Sequence, residues 1–163
     1  MPSKLYTALE TALLFADSAQ TEDATMTLSA LAAGAGRVSA RYDRGAGSHA
    51  ALYEWRIRWA LTGTNVVGAA LELFAFTSDG TNADGVIGTA DAALASSLRD
   101  TTTPMGLAVV YQTTTNTVMV RSGYVYIAAR YVSLGLWNAT TLPLQTSTSV
   151  HGITLTPIPW ESQ

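Results

Sequence analysis

The chain opens on helical spacing and then changes period. Leu5, Leu9, Ala12, Leu13 and Ala16 recur at three- and four-residue intervals behind Ser3, a residue suited to a helix N-cap. The spacing predicts a short amphipathic helix, although so short a segment serves equally well as an extended arm. The polar patch Gln20-Thr21-Glu22-Asp23 closes it. Residues 1–22 are therefore read as an N-terminal arm or short helix, and residues 23–163 as one domain.

From residue 24 the period is two, the spacing of a strand with one buried face. Met26, Leu28 and Ala30 alternate with Thr25, Thr27 and Ser29 up to the Gly34-Ala35-Gly36 break. Val38, Ala40 and Tyr42 then alternate with Arg37, Ser39, Arg41 and Asp43. The longest run covers residues 50–62, with Tyr53, Trp55, Ile57, Trp59 and Leu61 on one face and Glu54, Arg56 and Arg58 on the other. Helical spacing would scatter those aromatics around the cylinder. Residues 66–77 set Leu71, Leu73 and Ala75 opposite Glu72, Phe74 and Phe76.

Residues 78–103 form a long connection that opens on turn chemistry, Ser78-Asp79-Gly80-Thr81-Asn82-Ala83-Asp84-Gly85. A short helix is expected within 89–99, with Leu94 and Leu98 on one side. Connections of this length are usually functional or pack as a lobe of their own. Strands resume with Met105, Leu107, Val109 and Tyr111, and again over 117–121 after a hairpin loop at Thr113–Asn116. Ser122-Gly123 reads as a break before a strand over 124–134. A polar loop follows over 138–149, and Pro157 and Pro159 end a last strand carrying Ile153 and Leu155. About eight strands without βα alternation predict an all-β fold, an antiparallel β-sandwich that eight strands fit as a jelly roll. An immunoglobulin-like sandwich is the alternative, here without its cysteine pair.

Composition narrows the function classes. Of 163 residues, 48% are apolar and 13% charged, and the mean hydropathy is +0.19. The charged share is about half the ~25% of an ordinary soluble domain, which leaves few charges to cover a monomer's surface. The absence of cysteine excludes disulfides, thiolate metal sites and a cysteine nucleophile. A net charge of −3 argues against a general nucleic-acid binder. Charged residues or glycines break every apolar stretch well short of the ~20 residues of a membrane span, so no membrane association is expected. Glu10 interrupts the N-terminal apolar stretch, which argues against a signal peptide and for synthesis in a cytoplasm.

The catalytic inventory is thin. His49 lies in a Gly/Ser/Ala turn and His151 opens the last strand, with no Gly-x-Ser-x-Gly elbow to pair with either. Glu54 and Glu72 are a carboxylate pair on strand faces, more simply read as solvated residues beside Arg56 and Arg58. Asp79, Thr81, Asn82 and Asp84 resemble part of a calcium loop but lack its full ligand set, and Asp-Gly pairs serve turns in any case. Asn138-Ala139-Thr140 matches a glycosylation triplet. Neither an enzyme nor a cofactor or metal is expected.

Basic residues are the one asymmetry. Of nine, five lie between 37 and 58: Arg37, Arg41, Arg44, Arg56 and Arg58, opposed there by Asp43 and Glu54. Arg37 with Arg41, and Arg56 with Arg58, share strand faces and are candidate contacts for an acidic partner surface; a solvated face with internal pairs is the plainer alternative. Trp55 and Trp59 read as core, whereas Trp137 and Trp160 are candidates for a subunit contact or for stacking on a sugar.

Three segments carry a family resemblance. They are Leu71-Glu72-Leu73-Phe74-Ala75-Phe76-Thr77-Ser78-Asp79-Gly80-Thr81, then Arg130-Tyr131-Val132-Ser133 with Trp137-Asn138, and finally His151-Gly152-Ile153-Thr154-Leu155-Thr156-Pro157-Ile158-Pro159. In texture and order they resemble small jelly-roll virion proteins of tailed bacteriophages, of the type that decorates or cements the capsid. The resemblance implies a structural protein without catalytic residues, made in the host cytoplasm and carried on the capsid surface. It implies a homotrimer that clamps the major capsid protein through the arm and the sheet edges, without saying which residues make the contacts; on the arm, Leu5 and Leu9 are the candidates. A tail, neck or fibre module that binds carbohydrate or another virion protein is the alternative, resting on Trp137 and the Asp79–Asp84 loop.

Overall fold

The alternating runs become two stacked sheets. In a computed structural model of the chain, the residues described are 10–47, 49–81, 83, 88–99 and 103–159. Among them are the strands β1 (Leu13–Ala16), β2 (Ala24–Thr25), β3 (Gly36–Val38), β4 (Tyr42–Asp43), β5 (Leu52–Trp59), β6 (Ala70–Ser78), β7 (Ala92–Leu94), β8 (Thr103–Val109), β9 (Met119–Tyr126), β10 (Tyr131–Asn138) and β11 (Gly152–Pro157). One turn of 3-10 helix spans Ser96–Leu98. The first sheet has the order β2-β1-β11-β5-β9 and the second β7-β3-β10-β6-β8, with β4 also on β10. Apart from the parallel β1–β2 pair, these ladders are antiparallel. The all-β sandwich is as expected, with eleven strands among the described residues rather than eight.

The core lies between the sheets. Tyr53, Trp55, Ile57 and Trp59 of β5 join Leu71, Leu73 and Ala75 of β6 and Leu134 and Leu136 of β10 in one buried cluster. Burial of a large side chain contributes roughly 1.5–3 kcal/mol, so β5 alone supplies a large share of the hydrophobic stabilisation. The expected break at Ser122-Gly123 is instead the middle of β9. Gly123 sits opposite Trp55 in the ladder, and a Cβ there would lie 2.5 Å from the indole. The glycine marks a close approach to an aromatic ring rather than a turn.

The N-terminal expectation is corrected in part. Leu13–Ala16 is a strand, not the end of a helix, and pairs with β11 through Leu13↔Leu155 and Phe15↔Ile153. Leu13 and Phe15 point into the core, so tertiary pairing overrides the helical spacing, and the sandwich takes in residues ahead of 23. Leu5 and Leu9 fall outside the described residues.

Other boundaries shift for local reasons. Met26 and Leu28 are buried as expected, but the chain leaves the sheet after Thr25. The Asp17 carboxylate accepts hydrogen bonds from the Leu28 and Ser29 amides (3.3 and 3.2 Å) where a strand partner would stand. The strand expected over 124–134 is divided by a turn between β9 and β10. In place of a helix within 89–99 the chain forms β7 and the single 3-10 turn.

Candidate interaction surface

Each sheet has an outer face, and the chain treats the two differently. On the second sheet, Phe74 and Phe76 of β6, Val38 of β3 and Trp137 of β10 project outward, yet all are buried. Leu94 and the partly buried Leu98, from β7 and the 3-10 turn, pack over them. Gly36 makes this possible, because a Cβ there would lie 2.6 Å from the Trp137 ring and 2.8 Å from Leu94. Arg99 stacks 4.9 Å above the Trp137 ring and donates to Glu72 at 2.7 Å. The long connection thus packs as a lid on its own sheet.

Trp137 is therefore a core residue of this small cluster, only 9% exposed, and presents no ring face for a sugar or a subunit. The alternation predicts a strand only to residue 134, so neither the place of Trp137 on β10 nor the lid was legible. Trp160 lies outside the described residues.

The first sheet's outer face carries no such lid among the described residues. Ladder partners place Leu52 beside Tyr126, Glu54 beside Tyr124, Arg56 beside Ser122 and Arg58 beside Val120. On their other side, Arg56 meets Thr154 and Arg58 meets Gly152, and β1 adds Leu14 beside Thr154. Tyr124 and Tyr126 are 67% and 65% exposed. The face is thus tyrosine, arginine and threonine in texture, the first two being types enriched where proteins meet.

An apolar edge adjoins it. β9 ends the first sheet and β8 ends the second, and the two lie on the same side of the sandwich. Leu107, Tyr111, Val118, Tyr124 and Tyr126, on or beside these strands, are all exposed. Val66 and Val67, also exposed, stand in the turn that the Gly68 amide ties to the Val110 carbonyl at 3.1 Å. Among the described residues, neither strand has a partner on its far edge, and an open edge with exposed apolar side chains is a template for association.

The arginines expected to form paired docking faces are divided by the fold. Arg37 is partly buried and pairs with Asp91 at 3.0 Å, and Asp91 in turn accepts from the Thr27 amide. Arg41 is exposed and stacks 4.5 Å from the Tyr131 ring. Arg130 stacks on the same ring and forms a two-pronged bond to Asp43, both contacts 2.7 Å. The Arg130 hydrogen bonds hold the Asp43 carboxyl down at about 2. Arg56 and Arg58 stand exposed on the first sheet, away from both.

Arg44 is spent inside. Its side chain is 2% exposed and donates to the carbonyls of Ile127 (3.0 Å), Ala129 (2.7 Å) and Ala50 and to the Tyr53 hydroxyl (2.6 Å). Glu10 completes this cluster. It accepts from the Tyr53 hydroxyl, and its other oxygen lies 2.6 Å from His49 Nδ1. Burial works against the Glu10 carboxylate, but the Tyr53 and His49 hydrogen bonds and the Arg44 charge outweigh it and hold its pKa below the ordinary value. Burial, then the bond to Glu10, push the Tyr53 hydroxyl far above its own. Position in the sequence gave no sign that Glu10, Arg44, His49 and Tyr53 would meet.

His151 is fully buried, with Nε2 3.0 Å from the Gln145 carbonyl oxygen. Burial lowers its pKa, against the pull of the nearby Asp17, and burial raises the pKa of Asp17. Glu54 and Glu72 lie on different sheets, and Glu72 is bound to Arg99. Asp79 accepts from the Thr81 amide at 2.7 Å, the geometry of a turn. No group of three or more metal-ligating side chains occurs among the described residues. Asn138, of the glycosylation triplet, is fully buried and donates to the Leu31, Ala32 and Leu142 carbonyls, so its amide organises the 138–149 loop. No helix among the described residues is long and apolar enough to cross a membrane. No model of a known protein family matches the chain, and no curated protein sequence matches it.

Proposed function

We propose that the chain is a structural virion protein that decorates or cements the capsid of a tailed phage. In this reading it binds the major capsid protein as a homotrimer and bridges neighbouring capsomers. The observation that carries the reading is the Tyr/Arg/Thr face of the first sheet, which no described segment covers and which is continuous with the apolar β8–β9 edge. A chain with only 13% charged residues that leaves such a face bare has surface suited to neighbouring subunits.

Strand order supports the jelly-roll form of the sandwich. Setting aside the two-residue β2 and β4 and the edge strand β7 of the lid, the eight remaining strands rank in chain order as β1, β3, β5, β6, β8, β9, β10 and β11. By rank the first sheet is then 1-8-3-6 and the second 2-7-4-5, the order of two interleaved Greek keys. A protein that binds the assembled shell and not its free subunits stabilises the shell by mass action, and several linked contacts multiply weak affinities.

Sedimentation with undecorated, expanded heads of the same virus tests the reading, together with light scattering on the free protein. The expected result is a species of three 17.2 kDa chains that pellets with the heads and raises their resistance to heat. A monomer that stays in the supernatant at saturating head concentration overturns it. The carbohydrate-binding alternative has less support, since the Trp137 ring is covered.

A further inference from the structure

We propose that the outer face of the first sheet binds an extended acidic segment of its protein partner, with carboxylates at alternate positions over Arg56 and Arg58. The proposal rests on the functional reading above for the partner's place in a virion, but not for the chemistry of the site.

The site is a shallow hollow of about 380 Å³, lined by Leu14, Gln20, Arg56, Arg58, Val120, Gly152 and Thr154. Gly152 stands between Ala16 and Arg58 in the ladder, and the Leu14 side chain reaches over it, to 3.3 Å from where a Cβ would stand. Arg58 is held in place: Nε donates to the Val150 carbonyl and Nη2 to that of Ser149, both at 2.9 Å. Those partners fix the guanidinium without neutralising it. Arg56 makes no hydrogen bond or ion pair among the described residues, and Arg58 makes no ion pair among them. Of the other arginines, Arg37, Arg44, Arg99 and Arg130 pair with carboxylates, while Arg41 and Arg121 stack on Tyr131 and Tyr111. Two positive charges, Arg58 fixed and Arg56 free to adjust, thus stand on a sheet face without an ion pair among the described residues.

Spacing identifies the occupant. Arg56 and Arg58 are two residues apart on one strand, so their side chains leave the sheet about 7 Å apart. An extended chain repeats its own side chains at the same interval, so two carboxylates at alternate positions meet the two guanidinium groups together. Leu14 and Val120 line the same hollow and offer apolar surface to the methylene stems of the carboxylate side chains. Nucleic acid is disfavoured, because Glu54 lies on the same face as Arg56 and Asp23 is bound to the Leu14 amide beside the hollow. Those carboxylates, with a net charge of −3, repel a continuous polyanion but leave room for two discrete carboxylates.

The test is an NMR titration of the full chain, reading the arginine Nε–Hε signals. The probe is a capped pentapeptide of threonine with glutamate at its second and fourth positions. The controls carry glutamine there, or place the two glutamates side by side. Arg56 and Arg58 are expected to shift, and the alternating peptide to bind about 2- to 5-fold more tightly than the adjacent one, with the affinity falling as salt is raised. R56Q, which removes a side chain without partners, is expected to weaken binding by a similar factor. Equal shifts with the glutamine peptide, no preference for alternate spacing, tighter binding of a short DNA oligonucleotide, or equal binding of inorganic phosphate would each overturn the proposal. Sedimentation separates this from the functional reading. R56E/R58E chains that pellet with heads as well as the parent chain overturn acidic recognition and leave the virion role standing. A parent chain that binds the peptide but never pellets does the reverse.

Discussion

The second sheet's outer face is closed by the chain's own 92–99 segment, whereas no described segment closes the first sheet's outer face. Both sheets have the same ladder chemistry and share one core, so the difference lies in the outward side chains alone. Outward from β6 and β10 come Phe74, Phe76 and Trp137; outward from β5, β9 and β11 come Arg56, Arg58, Tyr124, Tyr126 and Thr154. The covered face is built mainly of large apolar rings, and Glu72 beside Trp137 is paired with Arg99. A face that must be stable in water and still bind uses groups that tolerate both, such as tyrosine and arginine. The lid also recruits charge: Arg99 is engaged by Glu72 and Trp137, whereas Arg56 has no such neighbours among the described residues.

The largest effect is expected from Trp137→Ala. It removes the largest ring under the lid and leaves Phe74, Phe76 and Leu94 facing a void. The expected loss is about 3–5 kcal/mol in urea denaturation. A loss near zero would mean that the lid contributes little and that the two faces are energetically alike. Leu94→Ala removes the lid's own anchor from the same cluster. It should cost about 2–4 kcal/mol and speed amide exchange in β7. Slowed or unchanged exchange there would break the comparison from the other side.

In the first sheet, Asp17 and His151 follow and precede the paired residues Ala16 and Gly152, Asp17 holding the Leu28 and Ser29 amides and His151 the Gln145 carbonyl. A smaller, pH-dependent effect follows. Burial holds the His151 pKa below its ordinary value, so between that lowered value and about 6.5 the unfolded chain binds a proton that the native chain refuses. Stability is therefore full above about pH 6.5 and is lost as pH falls through this window. Asp17 acts with the opposite sign nearer its own range, because its raised pKa lets the native state take up a proton first. Denaturation midpoints between pH 7.5 and 5.5, compared between the parent chain and His151→Gln, read the His151 contribution, and the substitution is expected to flatten the slope. An unchanged slope would assign the pH dependence to another group.

Alternation made the sheets legible. Every inward position read on the long strand, from Tyr53 to Leu61, is buried, and Arg56 and Arg58 are exposed as their spacing required. The covered face was half legible. Phe74 and Phe76 were placed opposite Leu71 and Leu73, but a strand apolar on both faces calls for a cover on each, and residues 78–103 were the available material. Glycine misled where it serves packing: Gly123 reads as a turn and is the space that Trp55 fills. The Glu10–Arg44–Tyr53–His49 cluster was not legible at all. Its members are up to 43 residues apart in the chain, and no local spacing encodes a meeting fixed by tertiary structure.

The smallest effect on stability is expected where the functional consequence is largest. Tyr124 and Tyr126 are both about two-thirds exposed and lie on an edge strand, so Tyr124→Ser and Tyr126→Ser should each stay within about 0.5 kcal/mol of the parent chain. If the first sheet's bare face is a contact surface, the double variant folds as the parent does, is no longer carried down with heads, and is less prone to self-association at high concentration. That pattern is the mirror image of Trp137→Ala, which should damage the fold wherever the chain is placed. Should the tyrosine pair prove as destabilising as the tryptophan, the first sheet's face would be holding the free chain together, and its exposure would no longer distinguish it from the lidded side.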